Sequence, residues 1–359
     1  MEIREILADA LDRDKDGSRD EGVSDIFIIP GAPVHFKAKG EMLRLNDERV
    51  MPADTAQLIR DIYALAGRDE DLLMKDGDDD FSFALRGLGR FRCNAYKQRS
   101  SLAAVIRVVT FGLPDPDQMH IPAKVMDLYN TKNGMILVTG AAGSGKSTTL
   151  ACLIDRINRE KPGHIITLED PIEYVHQHQK SLVSQREISH DTESYAAALR
   201  AALRQTPSVI LLGEMRDFET IQTAITAAET GQLLLSTLHT TGAAKTIDRI
   251  IDVFPANQQP QVRIQLSAVL KAVVSQQLLP LKDGGLEPVF EVMRMTPAIQ
   301  KMIRDGKPSS LIDKEIYAGS NLGMQTMDND ILRLYKAGRI TAEVARAYAA
   351  NPDSMEREL

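Results

Sequence analysis

The sequence predicts an α/β protein: a parallel-sheet domain preceded by a smaller α+β domain and followed by a helical C-terminal tail. Three observations carry this expectation. From Ile121 onward, short apolar runs alternate with amphipathic helical stretches, the grammar of parallel strands joined by helical crossovers. Before that point, strand-like runs separated by turn residues follow one another around a single strong helix, as in an antiparallel α+β unit. Early in the alternating part lies Gly140-Ala-Ala-Gly-Ser-Gly-Lys-Ser147, which fits G-x-x-x-x-G-K-[ST]. Met135–Thr139 before it is apolar and β-branched. Thr148–Asn158 after it repeats apolar residues at helical spacing.

Composition bounds the reading. The chain has 359 residues, of which 43% are hydrophobic and 26% charged, enough for two globular domains. No apolar stretch reaches the length of a membrane span, and the mixed-charge start lacks the regions of a signal peptide. The two cysteines, Cys93 and Cys152, are far apart and fall inside a predicted strand and helix. That argues against disulfides or a Cys-x-x-Cys zinc module and for the cytoplasm. The net charge of −7 is shared between the two parts, and neither has a basic excess, so nucleic acid is not an expected partner.

Taken in order, Met1–Leu11 reads as a short helix and Asp12–Gly22 as a charged loop. Ser24–Ile29, Pro33–Ala38 and Gly40–Leu45 read as a strand meander. Pro52–Ala66 reads as a helix with proline in its first turn and Gly67 as its stop. The acidic run Asp76–Asp80 reads as a solvated loop, without the spacing of an EF-hand. Phe81–Leu85, Gly89–Gln98 and Leu102–Val109 read as three more strands. The first domain is therefore placed at 1–112 and a proline-punctuated linker at 113–120. In the second domain, strands are expected at 135–139, 164–168, 208–212 and 233–238. A helix is expected over Thr192–Gln205, capped by Asp191 or Thr192, and another over Phe218–Thr230, with Asp217 as N-cap and Gly231 beyond its end. The parallel-sheet domain is assigned 121–290 and the helical part 291–359.

The loop at 140–147 identifies a nucleoside-triphosphate site. A loop joining a strand to a helix N-terminus presents unpaired N–H groups and the positive end of a helix dipole to anionic oxygen. Glycines let the backbone close around phosphates. The candidate ligands are Gly140, Gly143, Ser144, Gly145, Lys146, Ser147 and Thr148, with Lys146 reaching the β- and γ-phosphates and Ser147 offering its hydroxyl to Mg²⁺. Three further apolar runs end in polar residues: Glu169 and Asp170, Glu214, and His239. In a parallel sheet those ends converge on the phosphate loop. One carboxylate to activate water, another to support the metal and a polar sensor for γ-phosphate make a coherent hydrolysis site.

Longer strings carry a family resemblance. Glu169-Asp-Pro-Ile-Glu-Tyr-Val-His176 resembles the acidic box of secretion and pilus ATPases. Leu203-Arg-Gln-Thr-Pro-Ser-Val-Ile-Leu-Leu-Gly-Glu-Met-Arg-Asp217 resembles their extended Walker B signature. Leu238-His-Thr-Thr-Gly-Ala-Ala-Lys-Thr-Ile-Asp-Arg-Ile-Ile-Asp-Val-Phe-Pro255 is similar to their histidine box in its pilus-retraction form. The resemblance implies a RecA-like motor domain behind a PAS-like N-terminal domain, an ATP- and Mg²⁺-dependent homo-hexamer, and work on type IV pilus retraction at the cytoplasmic face of the membrane. An inner-membrane platform protein, and a second retraction ATPase beside it, are the implied partners. Carried over by position, Glu169 is the general-base candidate, Glu214 supports the metal and His239 is the sensor. Arg90 and Arg92, on one face of a predicted strand opposite Phe91 and Cys93, become candidates for γ-phosphate, with Arg107 and Arg99 weaker ones. Arg216 is expected to pair locally or across a subunit boundary. Ser208 replaces the family's usual aspartate after Pro207. Pro297–Lys307 resembles a C-terminal retraction motif, with Gln300 in place of its first arginine. The rival readings are a pilus assembly or type II secretion ATPase and a catalytically weak retraction accessory.

Overall fold

The computed structural model describes residues 2–11, 23–38, 41–109 and 112–359, and every structural count below is of these residues. The loop expected at Asp12–Gly22 lies outside them. The chain divides into two compact units, Met1–Gly112 and Leu113–Leu359, each with its own core.

The first unit is a six-stranded antiparallel sheet with helices packed on it. Its elements are α1 (Ile3–Leu11), β1 (Val23–Ile28), β2 (Pro33–Ala38), β3 (Glu41–Arg49), α2 (Pro52–Ala66), α3 (Asp71–Asp76), β4 (Asp78–Leu85), β5 (Gly89–Gln98) and β6 (Ser101–Val109). The strand order is β3-β2-β1-β6-β5-β4. Strand alternation sends Phe91, Cys93 and Ala95 of β5 into the core with Ile59 and Ile62 of α2, and leaves Arg90, Arg92 and Asn94 on the opposite face. Helix α2 opens on Pro52 and stops at Gly67, whose φ of 63° suits glycine.

The second unit is built on a seven-stranded sheet. Its elements begin with α4 (Ala123–Met126), β7 (Gly134–Thr139), α5 (Lys146–Glu160), β8 (Gly163–Glu169), β9 (Ser181–Glu187) and α6 (Tyr195–Ala202). They continue with β10 (Val209–Leu212), α7 (Phe218–Glu229), β11 (Leu233–Leu238), α8 (Ala243–Asp252), α9 (Gln259–Val269), β12 (Leu270–Pro280) and β13 (Leu286–Arg294). The order is β13-β12-β7-β11-β10-β8-β9, parallel throughout except for the antiparallel pair β12–β13. Both faces are covered, which is why these strands read as unbroken apolar runs. Met135 and Leu137 pack against the layer of α6 to α9, while Ile136 and Val138 pack against Leu150, Leu153, Ile154 and Ile157 of α5.

The four expected parallel strands lie within one residue of their expected bounds, but three more were not anticipated. Strand β9 is a half-exposed edge with no apolar run. Strands β12 and β13 form a hairpin around Gly284 and Gly285, both at positive φ, so the boundary placed at 290 falls inside a strand. Leu279 and Val289 of this hairpin carry the core shared with Met327, Ile331, Leu334 and Ile340. From Pro297 the chain is helical as expected: α10 (Pro297–Arg304), α11 (Ser309–Ala318), α12 (Met327–Lys336), α13 (Ala342–Tyr348) and α14 (Pro352–Glu356). Helix α6 begins later than expected, with Ser194 capping Ala197 N. Asp191 is occupied elsewhere, its Oδ2 accepting Glu187 N at 2.8 Å. At the position where the family usually has aspartate, Ser208 closes on β8: its N–H donates to His164 O at 2.8 Å and its Oγ would lie 2.6 Å from a Cβ on Gly163.

The acidic run is not a solvated loop. Asp78 to Asp80 open β4, and alternation turns Asp79 inward, where its side chain is only 1% exposed. There its carboxylate accepts Tyr63 OH, Arg68 Nε and Arg68 Nη2, each at 2.9 Å. A buried carboxylate is tolerable only with such partners, and deleting one member leaves the others uncompensated. Asp79→Ala is expected to destabilise the first unit by about 2–4 kcal/mol. A lower urea midpoint for the full chain, followed by circular dichroism, is the measurement that checks it.

Candidate nucleotide site

The phosphate loop leaves β7 between β11 and β12 and enters α5. Its path is set by close packing. Gly140 has φ 146°, and a Cβ there would lie 2.2 Å from Gln276 O and 2.7 Å from Ser144 Oγ. Gly145, at φ 84° just before α5, would place a Cβ 2.8 Å from Gln276 Nε2. The same Gln276 accepts Thr149 Oγ1 at 2.7 Å through its Oε1. Gln276 of β12 is therefore the wall behind the loop. The sequence could not have named it, because nothing in its surroundings signals that β12 pairs with β7.

Lys146 is 8% exposed and donates to Gly140 O and Ala141 O, both at 2.8 Å. Burial lowers its pKa, opposed by the nearby charges of Glu173 and Glu214. Ser144 Oγ is buried without a hydrogen-bond partner among the described residues. Gly143 takes φ 74° in the turn. Thr148 Oγ1 lies 3.0 Å from Tyr174 OH, and Ser147 lines a small pocket with Glu169, Tyr174, His176, Leu211, Gly213 and Thr237.

The three polar strand ends differ in environment. Glu169, at the end of β8, accepts Thr167 Oγ1 at 2.6 Å and Gln185 Nε2 at 3.2 Å, both on Oε1. Though part of its surface is accessible, it is enclosed enough that desolvation outweighs these bonds and pushes its carboxyl up to about 7. His176 in the same pocket is pushed down to about 4, also by burial, and so stays neutral. Glu214, two residues beyond β10, accepts Arg216 Nε at 2.7 Å on Oε2, with His239 Nε2 3.2 Å from the same atom. Arg216, expected to be a local or inter-subunit pairing residue, thus pairs locally with a carboxylate of the candidate site.

Arg90, Arg92, Arg99 and Arg107 belong to the first unit. Arg92 forms a two-bond ion pair with Asp80, and Arg107 Nε reaches Asp25 Oδ1 at 3.0 Å. Arg90 shares their side of the sheet, while Arg99 turns the β5–β6 hairpin at φ 46°. Among the described residues no cluster of His, Cys, Asp and Glu has the arrangement of an all-protein metal site. The oxygen donors instead suit a divalent ion brought by a phosphate ligand, one serine hydroxyl and one partly buried carboxylate, while the buried ammonium at the helix N-terminus suits the phosphate itself. The unpartnered Ser144 Oγ within the loop is a further group awaiting a polar ligand.

A strand–phosphate loop–helix unit, with carboxylates on two adjacent parallel strands beside it, defines a P-loop nucleoside triphosphatase. Residues 20–285 match the family model described as Type II/IV secretion system protein. The chain is 41% identical over 358 residues to the Type IV pilus retractation ATPase PilT of Pseudomonas aeruginosa, spanning 99% of this chain and 100% of that one. It is 39% identical over 337 residues to the Type IV pilus ATPase PilU of the same organism, spanning 94% of this chain and 87% of that one. The crystal structure of the pilus retraction motor PilT with bound ADP superposes with a TM-score of 0.87, at 45% identity and 99% coverage of both chains. The chain belongs to the Type II/IV secretion system protein family, in its PilT/PilU-type branch, with the RecA-like fold of an ATP-hydrolysing motor.

The packing of the loop yields a test of its own. Gly140→Ala forces a Cβ against the backbone carbonyl of Gln276 and a backbone angle that L-residues avoid, so the loop must shift. Affinity for a fluorescent adenine nucleotide is expected to fall more than about tenfold while far-ultraviolet circular dichroism is unchanged. Titration of the purified variant against the parent checks it.

Proposed function

We propose that this chain is the ATP-hydrolysing subunit of a homo-hexameric ring that drives retraction of a type IV pilus. It would act from the cytoplasmic face of the membrane on the platform protein of the pilus machine, with room for a second retraction ATPase beside it. The observation that carries this reading is the end-to-end match with PilT, which includes the first unit and the C-terminal helices as well as the motor unit. No helix among the described residues is long and apolar enough to cross a membrane.

In this reading Lys146 exchanges Gly140 O and Ala141 O for the β- and γ-phosphates, keeping its ammonium satisfied throughout. Ser147 and Glu214 would hold Mg²⁺, whose charge would help to neutralise the phosphates. Glu169 takes the proton of the attacking water. A carboxyl that titrates near 7 is a stronger base than an ordinary one, and about half of it is ionised at pH 7. His239 shares Oε2 of Glu214 with Arg216, so movement of either side chain is felt at the carboxylate proposed to support the metal. Arg90, Arg92 and Arg107 supply guanidinium charge to γ-phosphate once Asp80 and Asp25 release Arg92 and Arg107. The exposed Arg92–Asp80 pair is weak enough to be exchanged, and Arg107 is held more firmly because Asp25 is largely buried.

The decisive experiment is a deletion strain. It is expected to accumulate surface pili that do not retract, and the parent gene, but not Lys146→Ala, is expected to restore retraction. Loss of pili on deletion would instead mark an assembly ATPase. Normal retraction on deletion, with negligible turnover of the purified chain, would mark an accessory. In vitro, Lys146→Ala is expected to lose at least about a hundredfold in turnover, because the transferring phosphoryl loses its main cation.

A second expectation concerns pH. The folded pKa of Glu169 is raised, so the basic form is lost as pH falls through about 7 and gained as pH rises above it. Turnover at saturating MgATP is expected to rise between about pH 6 and about pH 9 with its midpoint near this value. A profile already flat from pH 6 upward would remove Glu169 as the titrating base.

A further inference from the structure

Gln185 is a residue that no motif singled out, yet its amide holds three groups of the acidic segment at once. It lies on β9, the edge strand beside β8, in register with Thr167 and two residues before the partner of Glu169. Its Nε2 donates to Glu169 Oε1 at 3.2 Å and to Tyr174 O at 2.9 Å, while its Oε1 accepts His176 N at 2.7 Å. The segment 170–178 has no regular secondary structure of its own to fix it. One side chain therefore ties the loop after β8 to the carboxylate at the end of β8. Tyr174 in turn reaches Thr148 in the first turn of α5.

We infer that Gln185 is a positioning residue for hydrolysis, which holds Glu169 by its Oε1 edge and locks the acidic loop over the pocket beside Ser147. This inference rests on Glu169 being the general base. The chemistry follows from the donors. Thr167 Oγ1 and Gln185 Nε2 meet on one oxygen, so the carboxylate cannot rotate freely, and both bonds favour its ionised form. Glu173 also acts on Glu169, its charge opposing ionisation while its backbone N–H favours it; nearby Tyr195 keeps its hydroxyl proton through burial first and then through the charges of Glu214, Asp170 and Glu169. His176, neutral and in the same pocket, adds no charge. Gln185 is thus the one uncharged side chain on β9 that both aims the base and tunes it.

The test uses Gln185→Met, which removes all three bonds at similar volume, and Gln185→Glu, which keeps an acceptor for His176 N but has no donor for Glu169. Both are measured beside Glu169→Gln. For both Gln185 variants, turnover at pH 7 is expected to fall about fivefold to tenfold, with the acid limb displaced upward by about one pH unit and recovery to within about twofold of the parent at pH 9. Gln185→Glu should show the larger displacement, and nucleotide affinity should stay within about threefold in both. Titration of the substrate is common to all the proteins, so the displacement belongs to the chain. Acid limbs that coincide with the parent in both variants, or a loss of turnover equal at every pH, would overturn the inference. Near-normal turnover of Glu169→Gln would instead remove the base assignment on which it stands.

Discussion

The phosphate loop has no slack where it leaves β7, and much of the second unit follows from that. A methyl group on Gly140 would overlap the carbonyl of Gln276, and one on Gly145 would meet the same residue's amide. The loop is therefore moulded against β12, a strand contributed by a part of the chain far downstream. Because β12 pairs with β13, and this hairpin shares a core with α12, the C-terminal helices are continuous with the wall of the nucleotide site. Glu291 of β13 adds a polar tie. It accepts Ala243 N at 2.7 Å, at the start of the helix after His239, and Met327 N at 3.4 Å, at the start of α12. A single buried carboxylate thus links the turn that carries the sensor candidate to the tail.

The two strand-end glutamates illustrate how one sheet makes two different carboxylates. Glu169 sits deep, and its two side-chain donors are neutral, so desolvation wins and its proton is held into the neutral range. Glu214 is met by the guanidinium of Arg216 and the imidazole of His239. That difference in surroundings arises from neighbours rather than from the residues themselves. Lys146 is balanced in the same way, since burial disfavours its charge while two loop carbonyls and the field of Glu173 and Glu214 retain it.

The first unit solves a different electrostatic problem. Arg92 and Arg107 are directly opposite one another on β5 and β6, a placement that like charges disfavour. Asp80 and Asp25 flank the pair and offset it, giving a charged row across one face of the sheet while the other face carries the core, with Asp79 buried at its margin. Guanidinium groups arranged this way keep their orientation without being buried.

The sequence by itself determined the class and much of the chemistry, because those signals are local. A strand, a glycine loop and a helix N-terminus lie within one short stretch. Apolar runs that end in Glu169, Glu214 and His239 announce doubly covered parallel strands, and alternation on β5 separated Arg90 and Arg92 from Phe91 and Cys93. Proline, glycine and aspartate marked the ends of α2 and α7 for the same local reason. Only the tertiary structure decided what depends on pairing between distant segments. The half-exposed β9 has no periodic signal, so Gln185 could not be seen beside Glu169. The acidic run looked solvated until Arg68 and Tyr63 were folded against Asp79. The hairpin of β12 and β13 runs across the boundary expected at 290 and brings Gln276 behind the phosphate loop, since a strand's neighbours are set by the burial of the whole sheet and not by its own residues.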